Sequence, residues 1–195
     1  MEKFYLEEPS LQRKQEIIDY MQEFIDYSSE INGVGGLDKV FEGESFESVL
    51  ERALKMKDKD YAKSINRCPG KTFFLIREND NKIIGSCSLR WDLTEEMLRF
   101  NGHIGYGIRP TERRKGYNKI NLYLALIEAQ KQGLDKVMLG CDVNNYGSDK
   151  TIRDLGGVLE RTEMDTSDNT LSNVYWINVD ESLEKYYDEY SKYIK

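Results

Sequence analysis

The stretch from residue 102 to residue 133, GHIGYGIRPTERRKGYNKINLYLALIEAQKQG, constrains this chain more than any other. It begins with a short run of strand formers halted by Pro110, which has no N–H to give to a ladder. A polar loop follows, then an apolar stretch at helical spacing that closes on Gly133. A strand feeding a helix through so short a loop belongs to a mixed α/β chain. The loop also poses an electrostatic problem. Arg113, Arg114 and Lys115 crowd the helix start, where partial positive charge already favours anions. Amides in such a loop and first turn lack intrahelical partners. A phosphate-bearing ligand would satisfy both the amides and the cations. Gly116 lets that ligand reach the backbone, because it carries no Cβ.

The remaining elements fall into order around this unit. KFYLEEPS reads as a short strand, and Ser10 as the cap of a helix whose Ile17, Ile18, Met21, Phe24 and Ile25 share a face. INGVGGLDKVFEGES is glycine-rich and reads as a mobile loop at the rim of a cleft; its Gly33, Gly35 and Gly36 lack the spacing of a dinucleotide fingerprint. SFESVLERALKMKDKDYAKS reads as one amphipathic helix, and KTFFLIREND with NKIIGSCSLRW as a hairpin. DLTEEMLRFNG is a short helix or turn, DKVMLGCD a strand, and NNYGSDKTIRDLGG a short helix. VLERTEMD and SNVYWINV are two strands around the turn TSDNT, ahead of a terminal helix, DESLEKYYDEYSKYIK. The fold class expected is α/β with one central, mostly antiparallel sheet flanked by helices.

Composition narrows the function. The 195 residues suit a single domain with a core that needs no staples. With 28 Lys and Arg against 35 Asp and Glu, the net charge is −7, so a nucleic-acid-binding face is not expected. Cys68, Cys87 and Cys141 lie far apart without a CxxC, and the single histidine, His103, cannot complete a zinc set with them. Reduced thiols and no metal are expected. MEKFYLEEPSLQRKQ lacks the apolar core of a signal peptide, and no apolar run approaches the ~20 residues that span a bilayer. A cytoplasmic protein without a membrane partner is the expectation.

Arg113-Arg114-Lys115-Gly116-Tyr117-Asn118 resembles the signature of the GNAT superfamily of acyl-CoA-dependent N-acyltransferases: Arg or Gln, two residues, Gly, one residue, then Gly or Ala. Asn118 stands where the signature has a small residue. The resemblance covers about residues 70 to 180 and extends to the bacterial pattern carried by GHIGYGIRPTERRKGY, LGCDVNNYGSDKTI and GGVLE. It implies a sheet splayed between its two middle strands, with the acyl group in the gap. Residues 1 to 68 would cover the acceptor side, 70 to 180 would form the acyl-CoA-binding core, and 181 to 195 the terminal helix.

The resemblance also implies roles. The loop from Arg113 to Asn118, Lys115, Gly116 and Tyr117 included, would hold the coenzyme A pyrophosphate. Gly107, Ile108 and Arg109 would pair with the pantetheine arm as an added strand does, and the Ile108 N–H would face the developing oxyanion. Asn145 would bind pantetheine or order its loop, and Ser148 would lie near the thioester. Many members place a tyrosine, the general acid, seven residues after that asparagine; here the position is Ile152. Tyr146 and Tyr117 are the sequence neighbours that could stand in, and His103 is the candidate base. Trp91, Asp92, Glu95 and Glu96 would border the acceptor, where the carboxylates could bind a cationic amine. The resulting expectation is acetyl transfer from acetyl-CoA to a primary amine of a small molecule in a ternary complex. The alternative is a non-catalytic acyl-CoA-binding or regulatory module whose missing tyrosine marks lost chemistry. A phosphate-loop hydrolase is excluded, since GxxxxGK[ST] is absent. A homodimer through the C-terminal strand and Tyr-rich helix is a further expectation.

Overall fold

The computed structural model describes residues 2–165 and 169–195. Among the described residues are seven strands and seven α-helices. The first sheet holds β1 (Phe4–Glu7), β2 (Gly70–Arg77), β3 (Lys82–Arg90) and β4 (Ile104–Ile108), in that order and antiparallel throughout. The second holds β5 (Lys136–Asp142), β6 (Val158–Asp165) and β7 (Thr170–Asn178), with β7 in the middle. Helices α1 (Lys14–Asp26), α2 (Phe46–Lys55) and α3 (Lys59–Ser64) precede β2, and α4 (Tyr117–Lys131) joins the sheets. α5 (Tyr146–Asp154) follows β5; α6 (Val179–Lys185) and α7 (Tyr187–Tyr190) end the chain.

Alternation along β2 explains the layering. Phe73 and Leu75 enter a core shared with α4, while Phe74 and Ile76 enter a second core with α1 and α2. A sheet covered on both faces needs apolar residues at every position, which is what FFLI supplies. α4 is buried on nearly every side; Leu122, Leu126 and Ala129 have no exposed surface. Each such leucine contributes about 2 kcal/mol by burial.

The sheet parts between β4 and β5, as the resemblance implies. The amide of His103 donates to the Met138 carbonyl at 2.8 Å, and the Met138 amide donates to His103 Nδ1 at 2.9 Å. Beyond that point β4 and β5 share no ladder. The imidazole thus replaces a backbone acceptor that the parting strand no longer offers.

Several local expectations are revised. The long helix over residues 45 to 64 breaks into two, because Asp58 caps α3 by accepting from the amides of Asp60 and Tyr61. Ser10 makes no capping bond. The glycine-rich loop is packed, not a free rim: Leu37 is fully buried, and a Cβ on Gly33 would stand 2.7 Å from the Tyr106 Cα. The terminal helix breaks at Tyr186. The turn TSDNT falls largely on 166–168, outside the described residues.

Candidate active site

The parting of β4 from β5 opens two cavities. One, of about 630 Å³, runs along the outer edge of β4 to the loop before α4. The other, of about 330 Å³, lies between β4 and β5 on the side of Arg90, Asn101 and Asp142. Tyr106, Asn145 and Ser148 line both, as do Glu30 and Asn32 from the loop after α1. The two spaces meet at these side chains.

The first cavity is built for an anion at its far end. Gly116 caps α4 in the left-handed region, φ +83°, and no side chain supplies the missing cap. Amides 114 to 118 accordingly make no hydrogen bond among the described residues. A Cβ on Gly116 would meet nothing within 4 Å, so the space before this backbone is open. The three cations do not all face it. The Arg113 guanidinium folds back on the Ile108 carbonyl at 3.1 Å and on Ser29 Oγ at 2.7 Å. Lys115 pairs with Glu112 at 2.8 Å. Burial opposes the Glu112 charge, but Lys115, Lys82 and Arg77 outweigh it and hold the carboxyl down at about 2. Arg114, exposed and itself at φ +64°, has no partner among the described residues. The puzzle of three unneutralised cations therefore reduces to one free arginine beside a row of free amides.

Along β4, the amide of Arg109 donates to the Ile84 carbonyl at 2.9 Å. By alternation Gly107 and Gly105 also face β3, while Tyr106 and Ile108 turn their amides to the open edge. Ile108 N–H thus points into the cavity as an available donor. Arg109 does not: its guanidinium is buried on the Ile83 carbonyl and Glu23, holding α1 against the strand. The side chain of Tyr117 is likewise spent, donating to Glu2 at 2.8 Å and packing on Phe4.

At the junction, Asn145 caps α5 by accepting from the Ser148 amide at 3.0 Å. Ser148 Oγ then lies 2.7 Å from the Tyr106 hydroxyl. Burial pushes the Tyr106 pKa up, with Ser148 and Asn118 opposing it, so the hydroxyl stays protonated. Asn118 donates to Thr151 Oγ1 at 3.3 Å, while its carbonyl oxygen is shielded from water and has no partner. The departure from the family signature thus leaves a stranded acceptor in the wall of the first cavity.

Other expected site residues lie elsewhere. His103 lines neither cavity. Its Nδ1 is taken by Met138, and burial, helped by Arg90, lowers its pKa to about 4. The expectation of a base there is corrected. Tyr146 is 76% exposed and lines neither cavity, so the structure does not bring it to the junction as expected. Trp91, Asp92, Glu95 and Glu96 are also absent from both; Asp92 instead pairs with Lys59 at 2.7 Å. That segment reaches the second cavity only through its ends, Arg90, Phe100 and Asn101. Carboxylates do line it, but they are Glu30, Asp142 and Asp165. Among the described residues no cluster of three metal-binding side chains exists, and no helix is long and apolar enough to cross a membrane.

A sheet parted between β4 and β5, with open amides before the intervening helix, sets the class of fold. The chain belongs to the acetyltransferase (GNAT) family, whose pattern it matches over residues 38–156. No curated protein sequence matches it. Solved structures share the fold at low identity. A ribosomal-protein-S5-alanine acetyltransferase from Vibrio fischeri is 18% identical with a TM-score of 0.67, over 91% of this chain and 94% of that one. A spermidine N-acetyltransferase from Vibrio cholerae, in complex with coenzyme A and spermine, is 16% identical with a TM-score of 0.63, over 93% and 98%. The microcin C7 self-immunity acetyltransferase MccE, in complex with acetyl-CoA and AMP, is also 16% identical with a TM-score of 0.63, over 89% and 91%.

Proposed function

We propose that this protein transfers the acetyl group of acetyl-CoA to the primary amine of a small, cationic acceptor by direct attack. The observation that carries the reading is the meeting of two cavities at Tyr106, Asn145 and Ser148, one ending at free amides and the other lined by carboxylates. Acetyl-CoA supplies the thioester carbonyl. Amides 114 to 118 and Arg114 bind the pyrophosphate. Asn118 lines the space that the pantetheine arm would occupy. Ile108 N–H donates to the carbonyl oxygen as charge develops there. Glu30, Asp142 and Asp165 draw the acceptor into the second cavity, where Arg90 is the one cation among the described residues. Delivering the amine neutral costs ~4 kcal/mol near pH 7.4.

Titration calorimetry with acetyl-CoA, followed by thiol release with a panel of amines, tests this. Micromolar binding and release with di- or polyamines are expected. A Gly116→Leu variant is expected to stay folded, yet to lose binding as its side chain fills the space before the amides. Binding that survives this change, or release only with neutral acceptors, would overturn the reading.

A further inference from the structure

The family's usual acid position is occupied by Ile152, which is fully buried and lines neither cavity. α5 therefore sends no tyrosine to the junction. The strand opposite does. Tyr106 stands in β4, 42 positions before Ser148, and its hydroxyl meets Ser148 Oγ at 2.7 Å in the wall shared by both cavities. Ser148 is in turn fixed by the Asn145 cap. Below the pair, Asn118 faces the same space from the first turn of α4. A small residue at 118 would leave that side of the tyrosine open; the asparagine closes it.

We propose that Tyr106, held by Ser148, is the catalytic acid of this enzyme and replaces the missing helix tyrosine from the opposite strand. The inference rests on the acetyl-transfer reading of the site. The step balances as follows. The amine nitrogen forms the C–N bond while the carbonyl pair moves onto oxygen, towards the Ile108 N–H. The pair returns, the C–S bond breaks, and its electrons go to sulfur. Tyr106 gives its proton to that sulfur, and its oxygen takes, through Ser148, the proton that the acylated nitrogen sheds. The tyrosine ends as it began, and no oxidant, metal or further reactant is needed. Burial keeps the hydroxyl protonated across the neutral range, so the donor is always loaded. Asn145 and Asn118 act through the pair and are positioning residues.

The test compares the wild type with Tyr106→Phe, which removes one oxygen and keeps the ring. With the best amine, kcat is expected to fall about 100-fold, while the calorimetric Kd for acetyl-CoA changes less than threefold. A second readout needs no turnover: the thiol pKa of bound coenzyme A, followed by thiolate absorbance. A hydroxyl donating to sulfur favours the thiolate, so the bound thiol is expected to titrate higher in Tyr106→Phe than in the wild type. Ser148→Ala should reproduce the direction of both effects at smaller size. Unchanged kcat in Tyr106→Phe, an equal fall in acetyl-CoA affinity, or an unmoved thiol pKa would each overturn the proposal while leaving acetyl transfer intact. A wild type that binds no acetyl-CoA would overturn the functional reading, and this proposal with it.

Discussion

At the scale of single residues, the cations of the loop separate by what they already touch. Lys115 must leave Glu112, and Arg113 must leave Ser29, before either can serve a ligand. Arg114 has nothing to give up. Arg114→Ala is therefore expected to raise the Kd for acetyl-CoA about tenfold, the worth of one charge-assisted contact. Lys115→Ala should cost less, since the wild-type lysine trades one anion for another. The Arg114 effect should shrink at high salt, because the contact is exposed; calorimetry at two ionic strengths reads both. His103 makes a different prediction. Its folded pKa, about 4, lies below the ordinary value near 6.5, so the unfolded chain takes up a proton first as pH falls. The stability it confers is complete above pH 6.5 and is lost between there and 4. Urea unfolding should show the advantage of the wild type over His103→Gln narrowing from pH 7.5 to pH 5. The rate profile between pH 6 and 8 should keep the same shape in both. A constant stability gap would contradict the neutral, buried imidazole.

At the scale of elements, the loop after α1 is sensitive to a small change because it packs directly on β4. Gly33 sits at φ +75° with its would-be Cβ 2.7 Å from Tyr106 Cα and 2.9 Å from the Gly105 carbonyl. Gly33→Ala must push the loop off β4 and open the wall between the cavities. A loss of about 2 kcal/mol is expected, with a rise in the KM for the amine larger than that for acetyl-CoA; thermal unfolding and initial rates check it. How much was legible in the sequence follows from the range of the contacts. The β4–loop–α4 unit and the β2–β3 hairpin were readable because Pro110 and the polar turn ENDNK act on their immediate neighbours. The break between α2 and α3 was hidden in KDKD, where any charged residue passes as helix surface. Arg109 turns inward because of Glu23, 86 positions earlier. Tyr106 meets a serine 42 positions later. Gly105, Tyr106 and Gly107 read only as strand, and no local pattern says which side chain of a strand will face a helix from another sheet. The acidic lining was expected from the wrong segment for the same reason: Glu30, Asp142 and Asp165 converge only once the two sheets have parted.

At the scale of the whole molecule, two cavities that meet at Tyr106, Asn145 and Ser148 bear on the order of the chemical steps. A double-displacement route would need a nucleophile at the junction to carry the acetyl group. Ser148 stands there, and among the described residues Cys141 brings a thiol to the second cavity beside the hydroxyls of Ser88 and Ser172. Cys141 lines the second cavity, but burial, reinforced by Asp149 and Asp142, pushes its thiol up to about 11, leaving little thiolate at neutral pH. Ser148 has the hydroxyl but no base: its partner is a tyrosine held in the protonated form, and His103 lies outside the cavities with Nδ1 occupied. Neither is set up for acylation, so in the proposed reaction the amine meets the thioester itself. Initial rates measured against both substrates should give intersecting reciprocal plots, the mark of a ternary complex. Incubation with acetyl-CoA alone should leave the protein mass unchanged and release no thiol beyond slow hydrolysis. Parallel plots, with a gain of one acetyl group on the peptide carrying Cys141 or Ser148, would reverse the conclusion and make the second cavity a deacylation chamber. The geometry argues for the first outcome: open amides for the thioester's carrier end the first cavity, while Asp142 and Asp165 line the second, where the amine would enter.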